Sequence, residues 1–192
     1  MIKKLAQDLE GYETEQWPIE AILDVELMTR KVLDPCLGFG VLAAEAMKRG
    51  HDVNTIDIHA WNDNFPPHHL LDFLTYFEDL SDTTVFMNPP FSKACEFVDH
   101  ARMMGARKII CFQRQAWREG SLEGGKKRGA WWEANPPART WLCGDRAQCL
   151  RFDLRGQNIA KPPTAHSWFV WERGHKGAEI TRGLYKGHRY HV

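Results

Sequence analysis

The sequence predicts an α/β protein with a mostly parallel sheet, helices on both of its faces and an antiparallel pair of strands at one edge. Short apolar runs that end in a polar residue alternate with stretches whose apolar residues have helical spacing. Strands that are separated by helices form right-handed βαβ units, and such units build parallel sheets. Two later apolar runs follow each other without a clear helix between them, which predicts the antiparallel pair.

The first predicted βαβ unit spans residues 32–57. Val32-Leu33-Asp34 is a short strand that enters a turn, and a helix follows over residues 41–49. Gly50 ends this helix, because glycine is favoured just past helix ends. Residues 53–57 form the second strand, so Asp34 and Asp57 each end a strand of this unit.

The later elements follow from the same patterns. Residues 84–87 and 108–112 are predicted strands, and residues 93–104 between them have the apolar spacing of a helix. The two runs without an intervening helix are residues 139–143 and 167–171. A chain of 192 residues with this order of elements is expected to form one domain with one core.

Composition excludes several classes of protein. The chain has no apolar run near the roughly 20 residues that span a bilayer, and its start has no apolar h-region. Five scattered cysteines without a CxxC pair indicate neither a zinc site nor a disulfide framework. We therefore expect a cytoplasmic protein with no membrane partner and no bound metal.

The formal net charge is zero, but the charges are unevenly distributed along the chain. Residues 1–106 carry 8 Lys and Arg against 18 Asp and Glu, a net charge of −10. Residues 107–192 carry 17 Lys and Arg against 7 Asp and Glu, a net charge of +10. Such a chain either presents a basic face to a polyanion or mixes its two halves on one surface, and composition alone leaves both open.

A glycine-bearing turn, Asp34-Pro35-Cys36-Leu37-Gly38-Phe39-Gly40, is the candidate cofactor site. Gly38 and Gly40 allow the backbone to turn sharply and to approach a ligand closely. A dinucleotide site would have a third glycine in the pattern G-x-G-x-x-G, which is missing here. The carboxylate of Asp34 would repel a pyrophosphate and attract a cationic amino acid moiety, which favours S-adenosylmethionine over a nicotinamide cofactor.

Two further carboxylates are candidates for the same cofactor. Asp57 ends the second strand and can accept hydrogen bonds from both ribose hydroxyls; alternatively it is a turn or helix-cap carboxylate. Asp72 can accept a hydrogen bond from an adenine amino group, and Phe73 can supply a flat apolar contact. The alternative for Asp72 is a helix cap or a surface residue.

Asn88-Pro89-Pro90-Phe91 follows the third strand and is the candidate catalytic motif. The exocyclic amine of adenine is a poor nucleophile, because its lone pair is delocalised into the ring. The Asn88 side-chain oxygen and the Pro89 carbonyl can accept its two N–H bonds, so that the lone pair turns toward a methyl group. Pro89 and Pro90 stiffen the loop, and Phe91 can stack on a flipped base. The alternative is a rigid turn after a buried strand.

These motifs resemble those of the DNA adenine-N6 methyltransferases, most closely the short orphan enzymes of phages and prophages. The turn that begins at Asp34 is similar to their first motif, Asp57-Ile58 to the second, Asp72-Phe73-Leu74 to the third and Asn88-Pro89-Pro90-Phe91 to the fourth. The segment from Tyr12 through Thr14 to Trp17 resembles their N-terminal motif, which closes over the methionine end of the cofactor. The resemblance implies a Rossmann-like class I methyltransferase fold with a seven-stranded sheet, and a bacterial or phage-infected host cytoplasm.

Residues 113–137 lack a clean periodicity and are predicted to be a long loop or lid that faces DNA. Basic groups neutralise phosphates and tryptophans stack on bases. The candidate nucleic-acid-binding residues are Arg114, Trp117, Arg118, Lys126, Lys127 and Arg128. The alternative is a solvated basic loop with its tryptophans in the core. Residues 182–191 are expected to be a flexible end; the alternative is that Lys186, His188 and Arg189 add phosphate contacts.

Together these features predict a single methyltransferase domain over residues 1–192 that methylates the N6 amine of adenine in DNA, on a flipped or single-stranded base. A chain of this length leaves no room for a separate target-recognition domain. Three alternatives stay open: adenine in RNA, a protein glutamine, or a non-catalytic nucleic-acid-binding module. The sequence predicts neither the recognition site nor the oligomeric state.

Overall fold

The computed structural model describes residues 2–119, 122–123, 126–157, 164–188 and 190. Its α-helices, in chain order, are α1 (Ile2–Asp8), α2 (Gln16–Val25), α3 (Val41–Lys48), α4 (Ala94–Met103) and α5 (Arg128–Ala134). Its strands are β1 (Tyr12–Thr14), β2 (Lys31–Asp34), β3 (Asp52–Asp57), β4 (His69–Leu70), β5 (Thr83–Met87), β6 (Lys108–Arg114), β7 (Leu122–Glu123), β8 (Lys126–Lys127), β9 (Arg139–Cys143), β10 (Cys149–Arg151), β11 (His166–Glu172) and β12 (Ile180–Leu184).

Within this described part of the chain, eight strands form one sheet in the order β12-β9-β11-β6-β5-β2-β3-β4. The segment from β6 to β4 is parallel throughout. Every residue of β5 is buried, as is every residue of β6 but the last, because helices cover both faces of a parallel sheet. The predicted strands and helices that precede residue 113 are confirmed.

The antiparallel pair is confirmed, but it does not lie at the edge. β11 pairs antiparallel with both β6 and β9, and β12 then adds to β9 in parallel as the outermost strand. The described sheet therefore has eight strands, not the seven that the resemblance implied. β12 escaped prediction because its first three residues are exposed, so no alternating buried face marks it. Residues 182–184 thus belong to a strand, while residues 189, 191 and 192 lie outside the described residues.

One hydrophobic cluster packs against each face of the sheet. Ile110 and Phe112 of β6 contribute to the cluster beneath α2 and α3. Ile109 and Cys111 contribute to the cluster beneath α4, since neighbouring residues of a strand point to opposite faces. Both faces of β6 are therefore committed to the core, which fixes the position of the residues at its carboxyl end.

The predicted loop over residues 113–137 contains part of this core. Helix α5 lies within it, and Trp117 and Trp132 are buried with their ring centroids 4.7 Å apart. Trp132 donates its indole N–H to the Trp117 carbonyl at 2.8 Å. The tryptophans pack against Phe169 and Trp171 of β11, so this stretch serves the fold.

A small two-stranded sheet lies at the carboxyl edge of the large one. β1 pairs antiparallel with β10, and Thr14 stands opposite Cys149. Both residues contact Asn88, which follows β5. The N-terminal segment is thereby held beside the carboxyl ends of the parallel strands. Across the described residues, no helix has the length and apolar character needed to cross a membrane.

Candidate active site at the carboxyl edge of the sheet

The carboxyl ends of β2, β3 and β5 meet at one place. A cleft opens there, with Asp57 and Asn88 in its wall. A smaller cleft beside it is lined by Asp34 and Asn88. The larger cleft also brings together these predicted site residues: Tyr12, Pro35, Cys36, Gly38, Ile58, Asp72, Phe73 and Pro90.

Asp34 is a buried carboxylate with one unused oxygen. Its side chain is 1% exposed, and its Oδ1 accepts the Cys36 backbone N–H at 3.2 Å. Its Oδ2 is buried without a hydrogen-bond partner in the described structure. Burial, with a smaller contribution from the charge of Asp57, raises the pKa of Asp34 to about 7. Such a carboxylate gains from a cationic ligand, because a nearby positive charge stabilises its ionised form.

Asp57 fixes the turn that carries Gly38. Its Oδ2 accepts the Gly38 N–H at 2.8 Å, and its Oδ1 accepts the His59 N–H at 2.9 Å. Burial raises the pKa of Asp57. It is therefore a turn carboxylate that also lines the cleft, and each oxygen keeps a lone pair for a ligand hydroxyl.

Asp72 has the cap role that was its alternative interpretation. Its Oδ1 accepts the Leu74 N–H at 3.0 Å at the start of the turn Phe73–Thr75. Both Asp72 and Phe73 remain in the cleft wall, Phe73 being almost fully buried. A carboxylate and a flat ring thus stand side by side there.

The two glycines of the turn differ from expectation. Both have left-handed backbones, with φ of +56° at Gly38 and +87° at Gly40. A Cβ on Gly38 would lie 2.6 Å from the Phe152 ring, and one on Gly40 would lie 2.4 Å from the Phe65 ring. The room that these glycines provide is therefore taken by aromatic side chains of the same chain. Gly40 is not among the described residues that line the two clefts, and its cofactor-binding assignment stays a prediction.

The N-terminal motif is only partly at the site. Tyr12 lines the larger cleft and Thr14 the smaller one. Trp17 is buried in the core beneath α2 and donates its indole N–H to Glu15 at 3.0 Å. It is not among the described cleft residues, and its assignment to the cofactor stays a prediction.

The Asn88 amide is anchored through its nitrogen. Nδ2 donates to the Tyr12 carbonyl at 3.2 Å and to Thr14 Oγ1 at 3.0 Å, and it lies 3.7 Å from Cys149 Sγ. A backbone carbonyl only accepts hydrogen bonds, so the Tyr12 contact fixes which end of the amide is the nitrogen. Oδ1 is left buried, with no hydrogen-bond partner among the residues described.

The rest of the motif has partners that the sequence did not reveal. The Pro89 carbonyl accepts a hydrogen bond from Gln113 Nε2 at 3.1 Å. The Phe91 ring lies 5.0 Å from the Tyr12 ring, and the Arg114 guanidinium carbon lies 4.1 Å from the Phe91 ring centroid. Gln113 was missed, although a polar residue at the end of an otherwise apolar strand was a signal for it.

The described side chains among the predicted nucleic-acid-binding residues lie in different surroundings. Arg114 packs over the Phe91 ring, but the Trp117 side chain is 2% exposed, which contradicts a base-stacking role. Arg118 is paired with Glu179 at 2.9 Å and covers the Trp132 ring. Arg128 begins α5. The side chains of Lys126 and Lys127 lie outside the described residues.

Comparison with known proteins shows which fold this chain has. No family model matches the chain, and no curated protein sequence does. A type I restriction-modification methyltransferase subunit from Streptococcus thermophilus is similar in structure, with a TM-score of 0.61 and 11% identity over 93% of this chain. This chain spans about half of that protein, 49% of its length. A predicted O-methyltransferase from Agrobacterium tumefaciens has a TM-score of 0.56 and 12% identity, covering 92% of this chain and 88% of its own.

The chain has the methyltransferase fold. A magnesium protoporphyrin IX methyltransferase from Synechocystis, solved with bound S-adenosylmethionine, is also similar, with a TM-score of 0.44 and 14% identity over 89% of this chain and 78% of its own. The predicted Rossmann-like fold class is confirmed. The described residues contain no group of three or more His, Cys, Asp or Glu side chains arranged to hold a metal ion.

Proposed function

We propose that this protein is an S-adenosylmethionine-dependent methyltransferase that methylates the exocyclic N6 amine of adenine in DNA. The observation that carries the proposal is the Asn88 amide, whose nitrogen is held by Tyr12 and Thr14 while its buried oxygen has no partner among the described residues. A buried acceptor without a donor costs about 1–3 kcal/mol, so its retention points to a ligand N–H.

The cleft fits the cofactor. Its wall brings carboxylates, an amide and aromatic rings together, as small-molecule sites do. In the larger cleft, Asp57 would hold the ribose hydroxyls and Asp72 with Phe73 the adenine ring. Asp34 lines the smaller cleft beside it and would hold the cationic methionine end through its unpartnered oxygen. When bound, S-adenosylmethionine supplies a methyl group on a positively charged sulfur.

The catalytic corner activates the amine by accepting its hydrogen atoms. Asn88 Oδ1 takes one N–H, and the Pro89 carbonyl, which keeps a second lone pair beside Gln113, takes the other. Held in this way, the amine nitrogen would become pyramidal, and its lone pair would point toward the methyl group that the bound cofactor would supply. Positive charge develops on nitrogen until a proton leaves to solvent, and the neutral, preorganised oxygens of Asn88 and Pro89 stabilise that charge.

Three observations favour a nucleic acid as the substrate. Phe91 follows the candidate acceptors directly in the chain, and its ring can stack on an extruded base. The Arg114 guanidinium packs over the Phe91 ring and can pair with a phosphate of the same nucleotide. The similar Streptococcus protein is the methyltransferase subunit of a type I restriction-modification system.

The experiment that tests the function is methyl transfer from radiolabelled S-adenosylmethionine to double-stranded DNA, single-stranded DNA, RNA and a glutamine-containing peptide, followed by nucleoside analysis. We expect N6-methyladenine in DNA. If the label appeared in RNA or on glutamine and not in DNA, the proposed substrate would be wrong, but the proposed methyl transfer to an amine would stand. Cofactor binding without transfer to any of the four would support a non-catalytic nucleic-acid-binding module instead.

A further inference from the structure

The segment from Cys149 to Leu154 lies against the cleft from a distant part of the chain. Its first half is β10, which pairs with β1, and its second half is the turn Phe152–Leu154. The Phe152 backbone N–H donates to the Gly11 carbonyl at 2.9 Å. We call residues 149–154 the flap.

Phe152 is clasped between two glycines. A Cβ on Gly11 would lie 2.5 Å from the Phe152 ring, and a Cβ on Gly38 would lie 2.6 Å from it. Any other residue at either position would therefore displace the ring. The side chain is only 7% exposed, so the N-terminal segment, the glycine turn and the flap are joined through this one ring.

The ring also forms part of both cleft walls. Phe152 lines the larger cleft with Asp57 and Asn88, and the smaller one with Asp34 and Asn88. Trp61 and Phe39 meet it edge-on, with ring centroids 4.7 Å and 5.0 Å from its own. Three aromatic rings, Phe152, Trp61 and Phe39, therefore line the clefts together with Gly38 and Asn88.

We propose that Phe152 is a cofactor-binding residue that closes over the sulfonium end of S-adenosylmethionine. The inference rests on the proposed function, because Asn88 marks where the methyl group must be delivered and so identifies that end of the cleft. An aromatic face stabilises a desolvated cation and excludes water from it. The flap has no counterpart in the predicted cofactor motifs, so no sequence pattern pointed to it.

The test is calorimetric titration of S-adenosylmethionine and of its demethylated product, S-adenosylhomocysteine, into the full chain. Phe152→Ala removes the wall and should weaken binding of both ligands about tenfold or more. Phe152→Leu keeps apolar bulk without the aromatic face. It should weaken binding of the cationic cofactor about fivefold and that of the neutral product less than about twofold.

The close contact between Gly11 and the Phe152 ring gives an independent test, because the backbone φ of Gly11 is not in the left-handed region. Gly11→Ala should displace the ring and weaken cofactor binding by a factor similar to that of Phe152→Ala. The double variant should be no weaker than Phe152→Ala alone, because residues that act through one contact are not additive. Phe65→Ala is the matched control: that ring packs on Gly40 in the same way but is not among the described cleft residues, so affinity should change less than about twofold. Thermal unfolding without ligand shows that each variant is folded.

The outcomes separate the two proposals. If the wild-type chain binds no S-adenosylmethionine, the proposed function and this inference both fail. If the wild type binds and folded Phe152→Ala binds equally well or more tightly, the inference alone fails, since the ring would then be inert or would compete with the cofactor. Equal losses for both ligands in Phe152→Leu would overturn the contact with the sulfonium.

Discussion

The two edges of the central sheet treat buried polar groups in opposite ways. At the amino edge, Glu26 follows α2 and is buried, but both of its oxygens are used. They accept hydrogen bonds from Lys108 at 3.0 Å, from Arg139 at 2.9 Å and from Trp141 at 2.8 Å. Burial alone would raise the pKa of Glu26, but the hydrogen bonds from Arg139 and Trp141 and the charge of Lys108 lower it.

At the carboxyl edge the polar groups are left incomplete. Asp34 Oδ2 and Asn88 Oδ1 are both buried, and the described structure offers neither a donor. Burial raises the pKa of Asp34 to about 7, opposite in direction to Glu26. Buried polar groups that have hydrogen-bond partners stabilise a fold. Buried polar groups that lack them lower its stability but can bind a ligand. The amino edge therefore serves folding, and the carboxyl edge serves a ligand.

The largest expected effect is at Asn88. Asn88→Ala removes the amine acceptor and should lower kcat for methyl transfer about 1000-fold, since one preorganised polar group at a reacting centre is worth about 10²–10³-fold or more. Its affinity for S-adenosylmethionine should change less than about threefold. Labelled transfer and calorimetry measure the two quantities. Thr14→Ala, which removes only one partner of the Asn88 nitrogen, should cost about tenfold or less. An Asn88→Ala enzyme that still methylates would sink the catalytic assignment.

At the opposite edge, Glu26→Gln should act on stability and not on chemistry. It leaves Lys108 and Arg139 without their buried carboxylate, so urea unfolding should show a loss of about 3 kcal/mol, with kcat per folded molecule unchanged. A lowered carboxyl pKa stabilises the fold above the unfolded value and not below it. The difference from wild type should therefore shrink as the pH falls below the ordinary Glu value of 4.5. A large loss of kcat in the folded variant would erase the contrast between the edges.

The raised pKa of Asp34 allows the contrast between the two edges to be tested by changing the pH. With a pKa of about 7, Asp34 is mostly protonated at pH 6 and mostly ionised at pH 8. Affinity for the cationic cofactor should therefore rise about tenfold across this interval, and Asp34→Asn should be weaker and independent of pH.

The same carboxylate has the opposite effect on the fold. A raised carboxyl pKa stabilises the folded state at low pH, and this contribution is lost as the pH rises through about 7. Without ligand, Asp34→Asn should be more stable than wild type at pH 8 and lose that advantage toward pH 4. Unfolding curves at the two pH values measure this, and a pH-independent affinity in wild type would contradict the assignment of Asp34 to the cation.

The sequence predicted those residues of the site whose positions depend on local patterns. Asp34, Asp57 and Asn88 could be placed because each ends or follows an apolar strand, and parallel strands end at one edge. β12 and β1 could not be found, because short strands with exposed or mixed faces have no periodicity. Their positions depend on pairing with distant segments.

Other wrong assignments arose where the residue types of a segment fit two different structures equally well. Tryptophans in a basic stretch fit either a stacking surface or a core, and only the packing of Trp117 against β11 decides between them. Phe152 carries no local motif, and its place beside Gly11 and Gly38 depends on contacts across more than a hundred residues. Gln113 had a local signal, its polarity, but its partner Pro89 is set by the register of β5 and β6.

Gln113 gives the finest test of the contrast between the edges, because it is satisfied and yet belongs to the reactive edge. Its side chain is 1% exposed, and it supplies a hydrogen bond to the Pro89 carbonyl, which is the second proposed amine acceptor. Gln113→Leu should loosen that carbonyl and lower kcat about fivefold. KM for DNA and affinity for S-adenosylmethionine should stay within about twofold, because Gln113 positions the acceptor and does not touch either ligand.

Ser167 is the matched control for this variant. It stands opposite Gln113 in the β6–β11 register, and its hydroxyl is fully buried without a partner among the described residues. Ser167→Ala should leave kcat unchanged and stabilise the fold by about 1 kcal/mol, since it removes an unsatisfied polar group. A loss of kcat in both variants would mean that any change at this strand pair disturbs the loop. A loss confined to Gln113→Leu would show that one hydrogen bond to a backbone carbonyl ties the core to the chemistry.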